Sequence, residues 1–460
     1  MTIPRALSWK HLFPADVSLL CSGAPPWFRE IAGREDGHGH GKRVMIAWKS
    51  PPETLPDLDP FHGLVAVNSR RLSAARLTGA GFGYVRRFAV LPSLEHARWF
   101  IPLDGPAVSS GAFCLYSPLR RSARLAYLGV RGAARAGLPI WYRDYIVIAQ
   151  RELPPIESVV QGLFPGQTVR LALSTGPEGP DVRRNVSAAI LDRRGQPMAF
   201  AKLSGSGVSR RLLEHEAQIL PALAALPGPC SLAPRLLFGG EIDGVYATIQ
   251  TPVVGRPVGS RLTPAHLRLL DALRGREVKP AAATGMIGSL RTRLRDAPSP
   301  WRGLSEVLDR LTPTLERLAV PTTIVHTDFV PWNLREKGGV IAAFDWDAAE
   351  LDGLPLYDEL HHELIVGYLV KRWTVERASR HLQEIASSAP LGLPPGQVRA
   401  LQAVYLIHFL LRLATHGHDE DDRMVVWYRR VLAELAADQV ETKVACGTGG
   451  SSWADGTPGN

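Results

Sequence analysis

The polar residues of the segment HTDFVPWNL, residues 326–334, are of the types that transfer a phosphoryl group. Asp328 and Asn333 stand five residues apart on one predicted loop, and Asp345 follows twelve residues after Asn333. Phosphoryl transfer from ATP needs a carboxylate that orients the attacking hydroxyl, and an amide oxygen and a second carboxylate that hold Mg²⁺ ions against the phosphates. Oxygen atoms are the ligands that Mg²⁺ prefers. Together, these three residues supply the side chains that the reaction requires.

Short strands must position this set. The stretch TTIV predicts a buried strand before the loop, and LREKGGVIAAF predicts two short strands about a Lys-Gly-Gly turn that ends at Asp345. Asp328 and Asn333 also fit a simpler role, which is to cap a turn. Three polar residues at two set spacings between apolar runs favour the chemical interpretation.

The segments VHTDFVPWNL and IAAFDWDAAELDGLPLYDELHH resemble the aminoglycoside phosphotransferase/choline kinase family of small-molecule kinases. The motif of that family is His-Gly-Asp-x-x-x-x-Asn, followed by Asp-Trp-Glu or a close variant. Carried over to this sequence, the resemblance implies that Asp328 is the catalytic base and that His326 braces the loop. It also implies that Asn333 and Asp345 are the Mg²⁺ ligands.

This resemblance covers about residues 155–440 and departs from the motif at two positions. Thr327 stands where the family usually has Gly, and Asp347 stands where Glu is common. The implied fold class is α+β, with a two-lobed protein-kinase-like fold: an antiparallel-sheet small lobe at 155–255 and a helical large lobe at 256–440. The implied cofactors are ATP and Mg²⁺.

A kinase small lobe also needs a strand lysine for the α- and β-phosphates and a helix glutamate that holds it. Lys202 is the only lysine between positions 49 and 279, and Glu216 follows on the next predicted helix, with Glu214 as a competitor. Gly176 and Gly179 lie where a phosphate-covering loop is expected, although the usual G-x-G-x-x-G pattern is missing there.

Two further polar residues follow the motif. Asp358 and His361 invite a catalytic or metal-binding interpretation. The comparable aspartate of the family is taken to be structural, and a lone histidine beside an apolar helix is usually part of a core. We therefore expect both residues to be structural.

The remaining segments are less informative. Residues 1–150 predict a smaller accessory α/β region, and RRLSAARLTGAGFGYVRRFAVLPSLEHARWFIPL faintly resembles the last helix and strands of a class I methyltransferase. Its combination with this kinase motif resembles phosphotransferases associated with bacterial surface-polysaccharide synthesis. Residues 446–460 are rich in Gly and Ser and predict a disordered tail.

Charge and cysteine content limit the partners and the compartment. The net charge is +9, and residues 1–150 hold 19 Lys and Arg against 10 Asp and Glu, which leaves 34 of each beyond. Because the arginines are spread along the sequence, we interpret them as solvated and expect neither nucleic-acid binding nor stable membrane insertion. The apolar stretch 400–414 contains His408 and Arg412 and predicts a buried helix. Four widely spaced cysteines and no signal-peptide pattern predict a cytoplasmic protein.

The sequence thus predicts an ATP- and Mg²⁺-dependent phosphotransferase that acts on a hydroxyl of a small molecule, favouring a sugar or glycan precursor. Two alternatives stay open. An aminoglycoside kinase would need a dense acidic rim for its polycationic substrate. A catalytically silent pseudokinase would bind only a nucleotide or a partner, against which the joint presence of Lys202, Asp328, Asn333 and Asp345 argues. Neither the acceptor nor the oligomeric state follows from the sequence.

Overall fold

The chain forms two compact units in the computed structural model. The first unit consists of Met1–Pro257 and Ala342–Asp347, and the second consists of Val258–Ile341 and Ala348–Asn460. The structure describes residues 5–14, 16–32, 42–49, 57–69, 72–115, 121–175, 185–226, 232–298 and 301–447. Most of the tail predicted at residues 446–460 lies outside these ranges.

Eleven strands of the first unit form one mixed sheet. In chain order they are β1 (Ser18–Ser22), β2 (Arg43–Trp48), β3 (Gly63–Val67), β4 (Tyr84–Leu91), β5 (Trp99–Pro102), β6 (Asp144–Gln150), β7 (Arg170–Ser174), β8 (Asn185–Leu191), β9 (Pro197–Ser204), β10 (Leu236–Ile242) and β11 (Val245–Gln250). Their order across the sheet is β1-β2-β3-β6-β4-β5-β7-β8-β9-β11-β10. Only β1, β2 and β3 pair in parallel, and the other pairs are antiparallel. A two-residue strand, β12 (Arg256–Pro257), follows.

Six α-helices belong to the described part of the first unit. They are α1 (Pro26–Ala32), α2 (Ala74–Gly79), α3 (Pro106–Gly111), α4 (Arg121–Arg135), α5 (Pro155–Leu163) and α6 (Gly207–Ala224). Short 3₁₀ helices span Arg5–Leu12, Ala112–Leu115 and Pro139–Trp141.

The predicted accessory region and the predicted small lobe share this sheet. Strand β5 pairs with β7, with Phe100 opposite Leu173, so the antiparallel strands β7–β11 continue directly from the earlier ones. Phe88 and Leu171 also belong to one buried cluster. Residues on both sides of position 150 therefore build a common core, which limits how independently either part can fold.

The second unit is mainly helical. Its helices are α7 (Pro264–Ala272), α8 (Gly285–Arg295), α9 (Gly303–Arg317), α10 (Tyr357–Val366), α11 (Val375–Ser387), α12 (Pro395–Thr415) and α13 (Arg423–Gly447). Its strands are β13 (Arg274–Pro280), β14 (Ala319–Val325), β15 (Leu334–Lys337) and β17 (Glu350–Gly353), and β16 (Val340–Ala343) begins in it. Strand β14 lies between β13 and β17 and is antiparallel to both.

The mixed architecture confirms the predicted α+β class. Gly338 and Gly339, at φ +60° and +80°, form the predicted Lys-Gly-Gly turn, since a two-residue hairpin turn of this kind needs positive φ at both positions. Strands β13 and β17 were not predicted, because β13 is mostly exposed and both short sequences lack the apolar alternation that marks a strand.

Helix α12 matches the buried helix predicted for residues 400–414. Among the described helices it is the one long and apolar enough to cross a membrane, and 83% of its most apolar window is buried within the protein. Its residues belong to the main core of the second unit, together with Leu360 of α10 and Tyr428 of α13. The apolar run is thus explained by packing in a helical core.

A buried carboxyl group links α5 to β4 in the first unit. Glu157 is 2% exposed, and its Oε1 accepts a hydrogen bond of 2.7 Å from the Tyr84 hydroxyl. Burial raises the pKa of Glu157 above its ordinary value of 4.5, although Tyr84, Arg86 and Arg170 oppose this change. The folded protein consequently favours the protonated carboxyl group more than the unfolded chain does.

Replacing Glu157 by Gln should therefore flatten part of the dependence of stability on pH. A raised carboxyl pKa adds stability that is complete below 4.5 and is lost as the pH rises through the folded-state value. Glu157→Gln removes the buried charge, and its amide oxygen can still accept from Tyr84. We expect the melting temperature to rise by about 2 °C or more at pH 8 and to change less at pH 5.

The control is Glu152→Gln, because Glu152 is exposed and Lys42 lowers its pKa. Differential scanning calorimetry of both variants at the two pH values makes the comparison. A larger gain for Glu157→Gln at pH 5 than at pH 8 would contradict the raised pKa.

Candidate active site

Lys202 lies near the end of β9 in the first unit. Residues Ala199, Ala201 and Leu203 of this strand are buried in the core, and Lys202 points to the opposite face because neighbouring side chains alternate along a strand. Its Nζ is 2.7 Å from Glu216 Oε1 and 2.5 Å from Asp345 Oδ1. The expected ion pair between Lys202 and Glu216 is therefore present.

Glu216 has no exposed surface, and its partners satisfy both carboxylate oxygens. The backbone N–H of Trp346 donates to Oε1 at 3.2 Å, and Gln250 Nε2 donates to Oε2 at 3.1 Å. The competing residue, Glu214, instead pairs with Arg210 at 2.9 Å on the same helix. A buried carboxylate with this many donors is held in one orientation.

Asp345 reaches Lys202 because residues Ala342–Asp347 belong to the first unit. The Ala343 N–H donates to the Leu232 carbonyl at 2.9 Å, and the fully buried Trp346 donates its Nε1–H to the Ala343 carbonyl at 2.9 Å. Asp345 itself has φ +74°, in the left-handed region that few non-glycine residues adopt. The segment is thus fixed at both the backbone and the tryptophan.

Two carboxylates keep Lys202 charged. Burial disfavours the ammonium form, but the negative charges of Asp345 and Glu216 outweigh it and raise the pKa of Lys202 well above its ordinary value. A firmly protonated lysine on a strand is the kind of group that binds the phosphates of a nucleotide.

In the second unit, the loop that begins at His326 follows β14 directly. Asp358 of α10 accepts the backbone N–H of His326 at 2.8 Å and that of Thr327 at 2.9 Å, one on each oxygen. Burial raises the pKa of Asp358 to about 8, and the two N–H donors oppose this change. Its contacts agree with the structural role expected for Asp358.

Gly353 of β17 lies against Val325, at the end of β14, so β17 packs closely beside the strand that leads into the loop.

Thr327 adopts φ +63°, in the left-handed region that favours glycine. Its hydroxyl donates to the Ala348 carbonyl at 2.8 Å. Arg412 of α12 donates from Nη1 to the Thr327 carbonyl at 2.6 Å, and the same Nη1 is 3.2 Å from Oγ1. These contacts hold a threonine in a backbone conformation that costs about 1–2 kcal/mol for a residue with a Cβ atom.

Asp328 is surrounded by groups that favour its charged form. Its Oδ1 is 3.3 Å from His361 Nε2 and 3.8 Å from Arg412 Nη2, and its Oδ2 accepts from Asn333 Nδ2 at 2.8 Å. Burial alone would raise the pKa of Asp328, but the hydrogen bond from His361 and the charge of Arg412 lower it well below its ordinary value. The side chain remains 30% exposed, so one charged carboxylate faces outward at the loop.

A short 3₁₀ helix, Pro331–Asn333, positions the amide of Asn333. Its Nδ2 donates to both the carbonyl and the carboxylate of Asp328, at 3.1 and 2.8 Å. Trp332 packs against the core of the unit, which anchors this turn of helix. Since Nδ2 faces Asp328, Oδ1 is the amide atom available to a metal ion.

We expected His361 to be part of a core, and its contact with the loop was not predicted. It is fully buried, but it also contacts Asp328, and its Nδ1 lies 3.4 Å from the Tyr405 hydroxyl. Burial lowers the pKa of His361, so a neutral imidazole with its proton on Nε2 fits both contacts. Arg412 and Gln250 were missed as well. Their only signal was a polar residue inside an apolar run.

The predicted site residues thus form two clusters. The structure brings Lys202, Glu216 and Asp345 together in the first unit, and His326, Asp328 and Asn333 together in the second. Gly176 and Gly179 lie outside the described residues.

Comparison with known proteins found similar structures at low sequence identity. One is aminoglycoside phosphotransferase APH(4)-Ia, in a ternary complex with AMP-PNP and hygromycin B. It has 17% sequence identity and a TM-score of 0.43, and the match covers 62% of this chain and 98% of that chain. A second is a putative fructosamine-3-kinase from Thermobifida fusca, with 17% identity and a TM-score of 0.40, covering 62% of this chain and 98% of that chain. A third is choline kinase LicA from Streptococcus pneumoniae, with 15% identity and a TM-score of 0.38, covering 61% of this chain and 98% of that chain. No protein-family model and no curated protein matches the chain. The resemblance of residues 1–150 to a methyltransferase stays a prediction.

Substitutions of Thr327 test the strained loop. Thr327→Ala keeps a Cβ atom at φ +63° and loses the hydroxyl contacts, whereas Thr327→Gly also removes the strain. The cost of a left-handed residue exceeds the entropic cost of Gly, so Thr327→Ala should be less stable than Thr327→Gly by about 1 kcal/mol. Urea unfolding measures the difference.

Thr292→Ala is the control, because Thr292 is an exposed residue inside α8 and its hydroxyl donates to the Gly288 carbonyl of the preceding turn. It should change stability by less than about 0.5 kcal/mol. Equal stability of Thr327→Ala and Thr327→Gly would show that the loop carries no such strain.

Proposed function

We propose that this protein is an ATP- and Mg²⁺-dependent phosphotransferase that phosphorylates a hydroxyl group of a small molecule, with a sugar or glycan precursor as the acceptor. The observation that carries the proposal is the position of Lys202 between Glu216 and Asp345. A strand lysine held by a helix glutamate is the arrangement that kinases use to bind the α- and β-phosphates. The acceptor class rests on resemblance alone, namely that of residues 1–150 combined with the kinase motif to phosphotransferases associated with bacterial surface-polysaccharide synthesis.

Each residue of the first cluster has a role in this proposal. Lys202 binds phosphate oxygens, and the buried Glu216 keeps the ammonium in place when a nucleotide replaces Asp345 as its partner. Asp345 and Asn333 are the residues that the motif resemblance implies as Mg²⁺ ligands, and each offers oxygen donors. When bound, the metal ion neutralises the negative charge of the phosphates.

Asp328 is the residue proposed to receive the acceptor. Its low pKa keeps it charged at neutral pH and makes it a weak base. Phosphoryl transfer passes through a loose transition state, so the orientation of the hydroxyl matters more than strong basicity. His361 and Asn333 fix the carboxylate from two sides, and this supports an orienting role.

The same contacts argue against a silent pseudokinase. A protein that only binds a partner has no need of a charged, partly exposed Asp328 that three side chains orient. An aminoglycoside acceptor and a sugar acceptor differ in charge. An ATP-consumption screen of the purified protein with sugars, aminoglycosides and choline-like alcohols separates them.

The variant Asp328→Asn tests the orienting carboxylate. It keeps the shape of the side chain and removes its charge, so ATP affinity should stay nearly unchanged. Turnover of the acceptor found in the screen should fall by about 10²–10⁴-fold, the usual contribution of a general base. Steady-state kinetics and calorimetric ATP titration measure the two quantities.

Asp309→Asn serves as the control, because Asp309 is an exposed residue of α9, away from both clusters in sequence. It should match the unmodified protein in both measurements. Near-normal turnover in Asp328→Asn would mean that the loop has only a structural role.

The variant Asp345→Asn tests the metal-binding carboxylate. It should weaken ATP binding in the presence of Mg²⁺ and abolish turnover, because a neutral amide is a poorer ligand for a hard cation. ATP titrations with and without Mg²⁺ should then give similar affinities, whereas the unmodified protein should bind ATP more tightly with Mg²⁺. Wild-type kcat in this variant at ordinary Mg²⁺ would contradict the metal role.

A further inference from the structure

Helix α4 and the residues that follow it expose large apolar side chains. Ile140 and Leu125, at 80% and 71% exposure, are the two most exposed large apolar side chains in the described part of the chain. Leu128 and Leu138, at 52% and 48%, belong to the same short stretch. Single exposed apolar residues are ordinary, but several in one stretch indicate a contact surface.

The opposite side of α4 already packs against the first unit. Tyr127, Val130, Ala133 and Ala134 contact a core cluster that includes residues of α3. Their spacing of three to four residues places them on one side of the helix. Leu125 and Leu128 are therefore not displaced core residues, since the core-facing side of α4 is complete without them.

Arginines share the outer side of α4 with these leucines. Arg124, Arg131 and Arg135 are exposed, and Arg124 and Arg131 stand four and three residues from Leu128, which makes them its neighbours on the helix surface. We call the set Arg124, Leu125, Leu128, Arg131 and Arg135 the α4 face.

No acidic residue lies near this face in the sequence. Between Asp104 and Asp144 the chain contains no Asp or Glu, and its charged residues there are Arg120, Arg121, Arg124, Arg131, Arg135 and Arg143. The interpretation of the arginines as merely solvated does not explain why this uninterrupted positive charge accompanies exposed leucines.

We propose that the α4 face docks the protein on an anionic lipid surface, with the helix lying along the interface. Leucines on such a helix enter the boundary between head groups and acyl chains, while arginine heads bind lipid phosphates and their stems cover apolar surface. Basic residues close to an anionic membrane are attracted to its negative surface potential. This docking needs no membrane span and is independent of the proposed phosphotransferase activity.

Charge decides between this surface and a second copy of the chain. A symmetric dimer through the α4 face would bring two sets of arginines together without any acidic residue between Asp104 and Asp144 to offset them. An anionic membrane satisfies both the leucines and the arginines.

Co-sedimentation of the full-length protein with vesicles tests the proposal. Vesicles of phosphatidylcholine and phosphatidylglycerol should bind the protein, and vesicles of phosphatidylcholine alone should bind it at least about tenfold more weakly. High salt should reduce binding to the anionic vesicles. Arg124→Glu with Arg131→Glu should weaken this binding by about tenfold or more, and Arg124→Lys with Arg131→Lys should retain it.

The matched charge control is Arg310→Glu with Arg317→Glu, because these exposed arginines of α9 have the same seven-residue spacing. It changes the net charge equally and should leave vesicle binding within about twofold. Leu125→Gln with Leu128→Gln should weaken binding by about tenfold, whereas Leu267→Gln with Val254→Gln, at 45% and 62% exposure, should not.

Three results would overturn the proposal. The first is equal binding to both kinds of vesicle. The second is an equal loss of binding in the α9 control, which would make the effect one of net charge. The third is a dimer in sedimentation velocity that Leu125→Gln with Leu128→Gln dissociates, in a protein that binds no vesicles.

Discussion

A buried charge must be paired, and much of the first unit's local architecture follows from pairing Lys202. Glu216 has no exposed surface, so its negative charge is tolerable only with donors on both oxygens. These donors come from β9, from β11 and from the backbone of Trp346. Removing one partner of such a set would leave a buried charge uncompensated, which typically costs about 3–5 kcal/mol.

The same constraint accounts for the path of residues Ala342–Asp347. They belong to the first unit although the chain on both sides belongs to the second. Asp345 satisfies Lys202, and the Trp346 N–H satisfies Glu216, while the indole fills a fully buried place. This short segment thus supplies the Asp345 carboxylate, the Trp346 N–H and the Trp346 indole to a single cluster.

In the second unit, buried polar groups hold a strained stretch of backbone in place. The loop after β14 takes a left-handed turn at Thr327, and Asp358 and Arg412 bind its backbone N–H and carbonyl groups. Arg412 also lies 3.8 Å from Asp328, so one buried guanidinium stabilises both the shape of the loop and the charge of its carboxylate. Asp328 is held in place before any substrate binds, which is what orientation of an acceptor requires.

The sequence alone indicated the α+β class through the family resemblance, predicted the buried helix α12 and the Lys-Gly-Gly hairpin, and singled out Lys202, Asp328, Asn333 and Asp345. Local signals sufficed because apolar periodicity marks elements, and because Asp328, Asn333 and Asp345 lie within one short stretch. Only the tertiary structure decided which glutamate binds Lys202, since helix spacing left Glu214 and Glu216 open. Likewise, it alone placed His361, Arg412 and Gln250, which lie far from their partners in sequence, and joined β5 to β7. Such long-range contacts depend on how distant segments pack, and no local pattern of residues encodes that packing.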